Sequence, residues 1–161
     1  MQQENSFSRY RRLVQEIALA VIALDALGKW WALGALTDAP LRLPGVTFEL
    51  SPGSDIEAAG AYWLGTSTGP LMAVFDALLL GLVVVLASRI RSVVWAVSAG
   101  LGAGAAASDL IDRLVRPPGV LRGDLIHWID TAWSASFNIA DVAFLGAVVL
   151  AASLARTGRV A

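Results

Sequence analysis

Gly69-Pro-Leu-Met-Ala-Val-Phe-Asp-Ala-Leu-Leu-Leu-Gly-Leu-Val-Val-Val-Leu-Ala87 carries a single charged side chain, Asp76, in an otherwise apolar run. At ~1.5 Å per residue a helix of this length covers close to the ~30 Å of hydrocarbon in a bilayer. In water the run would have no polar face to present; in lipid it needs none. Working outward, three more stretches read the same way: Leu13 to Leu36, Val93 to Leu114 and Ala135 to Ala155. The composition agrees, with 57% hydrophobic and 16% charged residues and a mean hydropathy of +0.66. Soluble domains carry about 25% charge. The expected fold is therefore all-α and membrane-embedded, four spans in one domain covering residues 1–161, with no internal repeat.

Basic residues orient the spans. Arg9, Arg11 and Arg12 precede the first, Arg89 and Arg91 lie between the second and third, and Arg156 and Arg159 follow the fourth. The long connection from Thr37 to Thr68 holds Arg42 against Asp38, Glu49, Asp55 and Glu57. Short loops rich in Lys and Arg stay in the cytoplasm, so both termini are expected there. The first apolar run continues for about 20 residues and carries Asp25 and Lys29, which distinguishes it from a cleavable leader. Within the outward connection, Leu41-Arg-Leu-Pro-Gly-Val-Thr-Phe-Glu-Leu50 alternates around Pro-Gly and predicts a small extracytoplasmic β element. From Arg116 to Ser134, Trp128 and Trp133 suit a segment at the outer interface. Gly100, Gly102, Gly104 and the alanines after them let helices approach closely.

Several functional classes drop out. There is no cysteine and one histidine, His127, so disulfides, thiolate nucleophiles and multi-imidazole zinc sites are excluded. No basic run is long enough to hold nucleic acid. What stands out is charge within the spans, where a charged side chain at the bilayer centre costs roughly 2.5–3.5 kcal/mol. Asp25 and Lys29 lie four residues apart on one helical face; Asp109, Asp112 and Arg113 crowd the outer end of the third span; Asp141 enters the fourth. Taken pair by pair, Asp25 with Lys29 and Asp112 with Arg113 read as structural ion pairs. Asp141 has no basic neighbour in its own helix, and the orientation sends all of these groups toward the outer leaflet. One polar cluster there is the simplest account. A small polar or ion pathway lined by Asp25, Asp109 and Asp141 is a second, but four spans without a repeat make a poor transporter.

The motifs that hold these charges resemble the lipoprotein signal peptidases, signal peptidase II. The family's Asp-x-x-(Thr/Ser)-Lys appears as Asp25-Ala-Leu-Gly28-Lys29. Its Gly-Asn-(Leu/Ile)-(Ile/Leu)-Asp-Arg-Leu appears as Ser108-Asp109-Leu-Ile-Asp112-Arg113-Leu114, and its Phe-Asn-x-Ala-Asp is intact as Phe137-Asn138-Ile-Ala-Asp141. The resemblance implies an intramembrane aspartic endopeptidase of the bacterial inner membrane that uses no cofactor or metal. It would remove signal peptides from prolipoproteins before a diacylglyceryl-modified cysteine, so that prolipoproteins and lipids are its partners. By resemblance Asp141 is one member of the catalytic dyad, Asn138 supports it, and Asp25, Lys29, Asp109, Asp112, Arg113 and Ser51 belong to the polar pocket.

The second dyad member has two candidates. Arg122-Gly-Asp124-Leu-Ile-His127-Trp-Ile129 stands where the family reads Arg-Gly-His-Val-Val-Asp-(Phe/Trp)-Ile. Aligned without gaps, His127 takes the aspartate's place and Asp124 the histidine's; a three-residue gap instead brings Asp124 into the dyad. The flanking Arg-Gly and Trp-Ile favour the gapless version. Gly28 replaces the hydroxyl residue of the first motif, Asp109 replaces Asn in the third, and Ser51-Pro-Gly53 followed by Ser54-Asp-Ile-Glu57 departs from the family's first loop. These departures open a further alternative, a catalytically altered or inactive paralogue that still binds lipidated or helical membrane substrates.

Overall fold

The computed structural model describes residues 2–52, 68–132 and 134–156. Among the described residues, four helices are long and apolar enough to cross a membrane. They are α1 (Gln2–Ala35), α2 (Thr68–Leu86, extended by a 3-10 turn over Ala87–Arg89), α3 (Val93–Val115) and α4 (Ile139–Arg156). Strands β1 (Leu41–Leu43) and β2 (Val46–Pro52) follow α1, and β3 (Ile126–Thr131) and β4 (Ser134–Phe137) precede α4. All pairings in the sheet are antiparallel, in the order β1-β2-β3-β4. The hairpin expected around Pro44-Gly45 is present: Leu43 pairs with Val46, and Gly45 supplies the positive φ of 86° that its turn requires.

Two boundaries differ from the sequence reading. The Trp128 region is β-structure: Ile126–Thr131 pairs with β2, so the hairpin becomes a four-stranded sheet. The fourth helix starts at Ile139 rather than near Ala135, because Ser134–Phe137 is the edge strand and Asn138 caps the helix. Residues 53–57 and Trp133 lie outside the described residues.

Helix α3 is the hub, packing on α1, α2 and α4. Its glycines set the distance to α1. A Cβ on Gly100 would sit 2.8 Å from the Cβ of Ile17, and one on Gly104 would sit 2.7 Å from that of Val21 and 2.9 Å from the Ala18 carbonyl oxygen. The small-x-x-x-small spacing thus lets backbone meet backbone, the packing mode that works where lipid removes the hydrophobic drive between helices. At the sheet end a satellite core forms from Ala32, Leu36 and Trp128, with Phe48, Leu50, Ile126, Ile129 and Ile139 around it. Trp128 packs edge-on to Trp31 at 5.5 Å and lies 5.9 Å from Phe48, fixing the sheet on the end of α1.

Candidate active site

Charges withdrawn from water are tolerated only when paired and hydrogen-bonded, and the first pairing here is set by helical spacing. Asp25 and Lys29 share a face of α1, and Lys29 Nζ lies 2.5 Å from Asp25 Oδ2. The same ammonium is 2.7 Å from Asp112 Oδ2 and 3.8 Å from Asp109 Oδ1, both on α3. Asp25 is fully buried and accepts two more bonds, from Ser108 Oγ at 2.6 Å and from the Ala140 backbone N–H at 3.1 Å. One carboxylate therefore joins α1 to α3 and to the first turn of α4.

Asp112 does not pair with Arg113. Adjacent helical residues point about 100° apart, and the two side chains reach different partners. Asp112 Oδ1 accepts from Arg116 Nε at 2.6 Å, one turn on, while Arg113 Nε lies 3.7 Å from Asp76 Oδ2 on α2. Asp76 had been visible as the single charge in an apolar span, the signal that marks an intramembrane partner, but the sequence reading did not use it.

The Phe-Asn-x-Ala-Asp stretch folds as a capping box. Asn138 is the N-cap of α4: its Oδ1 accepts from the Asp141 N–H, and Asp141 Oδ2 accepts from the Asn138 N–H, both at 2.9 Å. With Asp25 on Ala140, one further N–H group of the first turn is satisfied, as a helix end inside a membrane protein requires. Asn138 Nδ2 also reaches the Ile126 carbonyl at 3.4 Å, so the cap is tied to β3.

From the sheet, β3 delivers His127. The imidazole is 2% exposed, and its Nε2 lies 3.5 Å from Asp141 Oδ2. Ser51 faces His127 across the β2–β3 ladder. Ser136 Oγ, which the sequence reading passed over, lies 3.1 Å from both Ser51 Oγ and Asp130 Oδ1. Asp124 is exposed and stands before β3, with its backbone N–H bonded to the Pro117 carbonyl at 3.0 Å. The approach to the strand is fixed by Gly123, whose N–H donates to the Arg113 carbonyl at 3.2 Å. A Cβ there would fall 2.3 Å from the Asp112 carbonyl oxygen, so no larger residue fits. Gly28, at the hydroxyl position of the first motif, has an equally local cause. A Cβ on it would meet Cζ2 of Trp128 at 2.8 Å, so the indole occupies the space that a side chain at 28 would need.

The architecture is that of a four-span membrane protein whose carboxylate site lies where the bundle meets a small sheet. The family model of signal peptidase (SPase) II matches residues 17–156. The chain is 32% identical over 150 residues to the lipoprotein signal peptidase of Mycobacterium avium, covering 88% of this chain and 78% of that one. With that of Bifidobacterium adolescentis it shares 35% over 144 residues, covering 86% and 73%. Two solved structures of a bacterial membrane enzyme share the fold. One has a TM-score of 0.68 at 20% identity, covering 85% of this chain and 88% of the other. The second has a TM-score of 0.70 at 19%, covering 91% and 90%. The chain belongs to the signal peptidase II family, and with its four spans it is an integral protein of the bacterial inner membrane.

Proposed function

We propose that this protein cleaves the signal peptides of diacylglyceryl-modified prolipoproteins before the modified cysteine, at a site centred on Asp141 on the outer-leaflet side. The observation that carries the reading is the difference between Asp141 and the other acids of the cluster. The Asp25, Asp112 and Asp109 side chains are 0%, 7% and 16% exposed and face Lys29, whereas that of Asp141 is 40% exposed. It is held by its cap and still open to a substrate. A carboxylate placed this way can take a proton from water as that water attacks the scissile carbonyl. The ion-paired acids hold the helices that position it. A prolipoprotein's apolar segment is already in the bilayer, so lateral approach needs no soluble cleft.

The test is cleavage of a diacylglyceryl-modified prolipoprotein by the purified protein in detergent micelles. Asp141→Asn is expected to lower the rate by about 10²–10⁴-fold with the thermal unfolding midpoint little changed. Undiminished cleavage by that variant would remove Asp141 from the reaction. A second reading, a paralogue that binds such substrates without cutting them, is favoured by His127 standing beside Asp141 in place of a second carboxylate. A silent wild type beside an active family member would support it. The ion-pathway reading fares worse, since the cleft of about 500 Å3 below the site is lined chiefly by apolar residues such as Leu79, Leu82, Val83, Phe144 and Val148, with Arg89 and Ser98 the polar ones.

A further inference from the structure

We infer that His127 is itself a catalytic residue: imidazole and Asp141 carboxylate form a heterogeneous pair that shares one proton and holds the attacking water between them. The inference rests on the reading of Asp141 as the site of cleavage and names the second reacting group. Three observations carry it. The separation of 3.5 Å between His127 Nε2 and Asp141 Oδ2 is too long for a direct hydrogen bond, yet it lets one water oxygen touch both atoms. Both groups are fixed by backbone, His127 in the ladder opposite Ser51 and Asp141 in the cap of α4, so the pair is preorganised. Asp124, the other candidate, is exposed and its backbone is bonded to Pro117 ahead of the strand.

A purely structural ion pair accounts for this less well. The end of α4 is already closed by Asn138, whose N–H bonds the same Oδ2, so the cap does not depend on the imidazole. A structural pair would also be expected to close to hydrogen-bonding distance.

The proton count matches that of a two-carboxylate dyad. There, one group must be ionised and the other protonated, because neighbouring like charges cannot both persist. Here the reacting state is imidazolium beside carboxylate. Water adds to the scissile carbonyl carbon as Asp141 takes its proton, and the imidazolium donates its proton to the carbonyl oxygen. The C–N bond then breaks: the nitrogen leaves with the proton held on Asp141, and the hydroxyl proton returns to His127. One water is consumed, an acid and an amine are released, and the pair is restored. The other charges acting on Asp141 are Lys29 and Asp25 from α1, with Asp109 on α3 beside them; toward His127 the sheet presents the hydroxyl of Ser51, and Ser136 and Asp130 lie beyond it.

Two measurements on the full chain in detergent test the inference. With a diacylglyceryl-modified prolipoprotein as substrate, His127→Asn is expected to lose at least about 100-fold in kcat with KM held. His127→Asp, which restores two carboxylates, is expected to keep cleaving, with the alkaline limb of its pH profile moved to lower pH. Wild-type rates in His127→Asn, or loss in Asp124→Asn with retention in His127→Asn, would overturn the pair. So would a silent wild type beside an active His127→Asp, which would leave Asp141 as the site and His127 as the lesion. If all variants and the wild type are silent, the failure belongs to the cleavage reading itself. Independently of substrate, the chain's single histidine gives one imidazole ring to follow, through its pair of 15N signals. In Asp141→Asn it is expected to lose its proton at lower pH than in the wild type, since the carboxylate that stabilises the imidazolium is gone; an unmoved titration would overturn the pairing.

Discussion

Lys29 is 1% exposed and answers Asp25 and Asp112 at once, with Asp109 close by. Removing it would leave the buried carboxylates of Asp25 and Asp112 without the cation they share. Breaking a buried pair by deleting one partner costs about 3–5 kcal/mol, so Lys29→Met is expected to lose that much in a detergent unfolding titration. Arg116→Ala, which removes a partner with a 26% exposed side chain, is expected to cost under about 1 kcal/mol. Equal losses would mean that the cluster is not organised around Lys29. At this scale the sequence disclosed what helical spacing disclosed. Asp25 and Lys29 were legible because four residues bring side chains onto one face. Lys29 as a partner of Asp112 and Asp76 as a partner of Arg113 were not, because they lie on other helices, whereas Arg116, four residues after Asp112, was open to the same reading by spacing. The replacement of a hydroxyl residue by Gly28 was visible as a departure, but its cause, the ring of Trp128 about 100 positions on, exists only in three dimensions.

Among the elements, α3 carries a distinction that its Gly/Ala composition hides. Gly100 and Gly104 face α1, where an added Cβ would lie 2.7–3.0 Å from Ile17, Val14, Ala18 and Val21. Gly102 faces Ala147 of α4 across an ordinary 3.6 Å. Gly104→Ala is therefore expected to push α1 outward and cost about 1–3 kcal/mol, the usual range for overpacking, and to lower activity by separating Lys29 from Asp112. Gly102→Ala is expected to stay within about 0.5 kcal/mol of wild type. Thermal unfolding of the two variants side by side checks this, and a reversed ranking would mean that α3 is rotated from its described orientation. The sequence pointed to close packing but not to which glycine faces which helix. The strands divide in the same way. β1 and β2 were legible because a Pro-Gly turn joins alternating residues. β3 and β4 were not, since short strands owe their stability to pairing with a distant partner rather than to their own residues.

At the scale of the whole molecule, charge and topology converge on one arrangement. The up-and-down course of four spans brings the start of α1, the α2–α3 turn and the end of α4 together, and these are the segments that carry the arginine clusters. The sheet and the Asp141 site lie at the opposite end. With short basic loops retained in the cytoplasm, the orientation we propose would put the site where a lipidated cysteine would lie, at the outer leaflet, with the apolar part of the substrate below it in the bilayer. The absence of native cysteine makes this directly testable, because single cysteines report without background. Asp38 follows α1 on the sheet side and Ser88 lies in the α2–α3 turn; both are exposed. In intact spheroplasts a membrane-impermeant maleimide is expected to label Asp38→Cys, and to label Ser88→Cys only after the membrane is opened. The inverse pattern would turn the molecule over, set Asp141 against the cytoplasmic leaflet, and leave it unable to meet a signal peptide at its outer end.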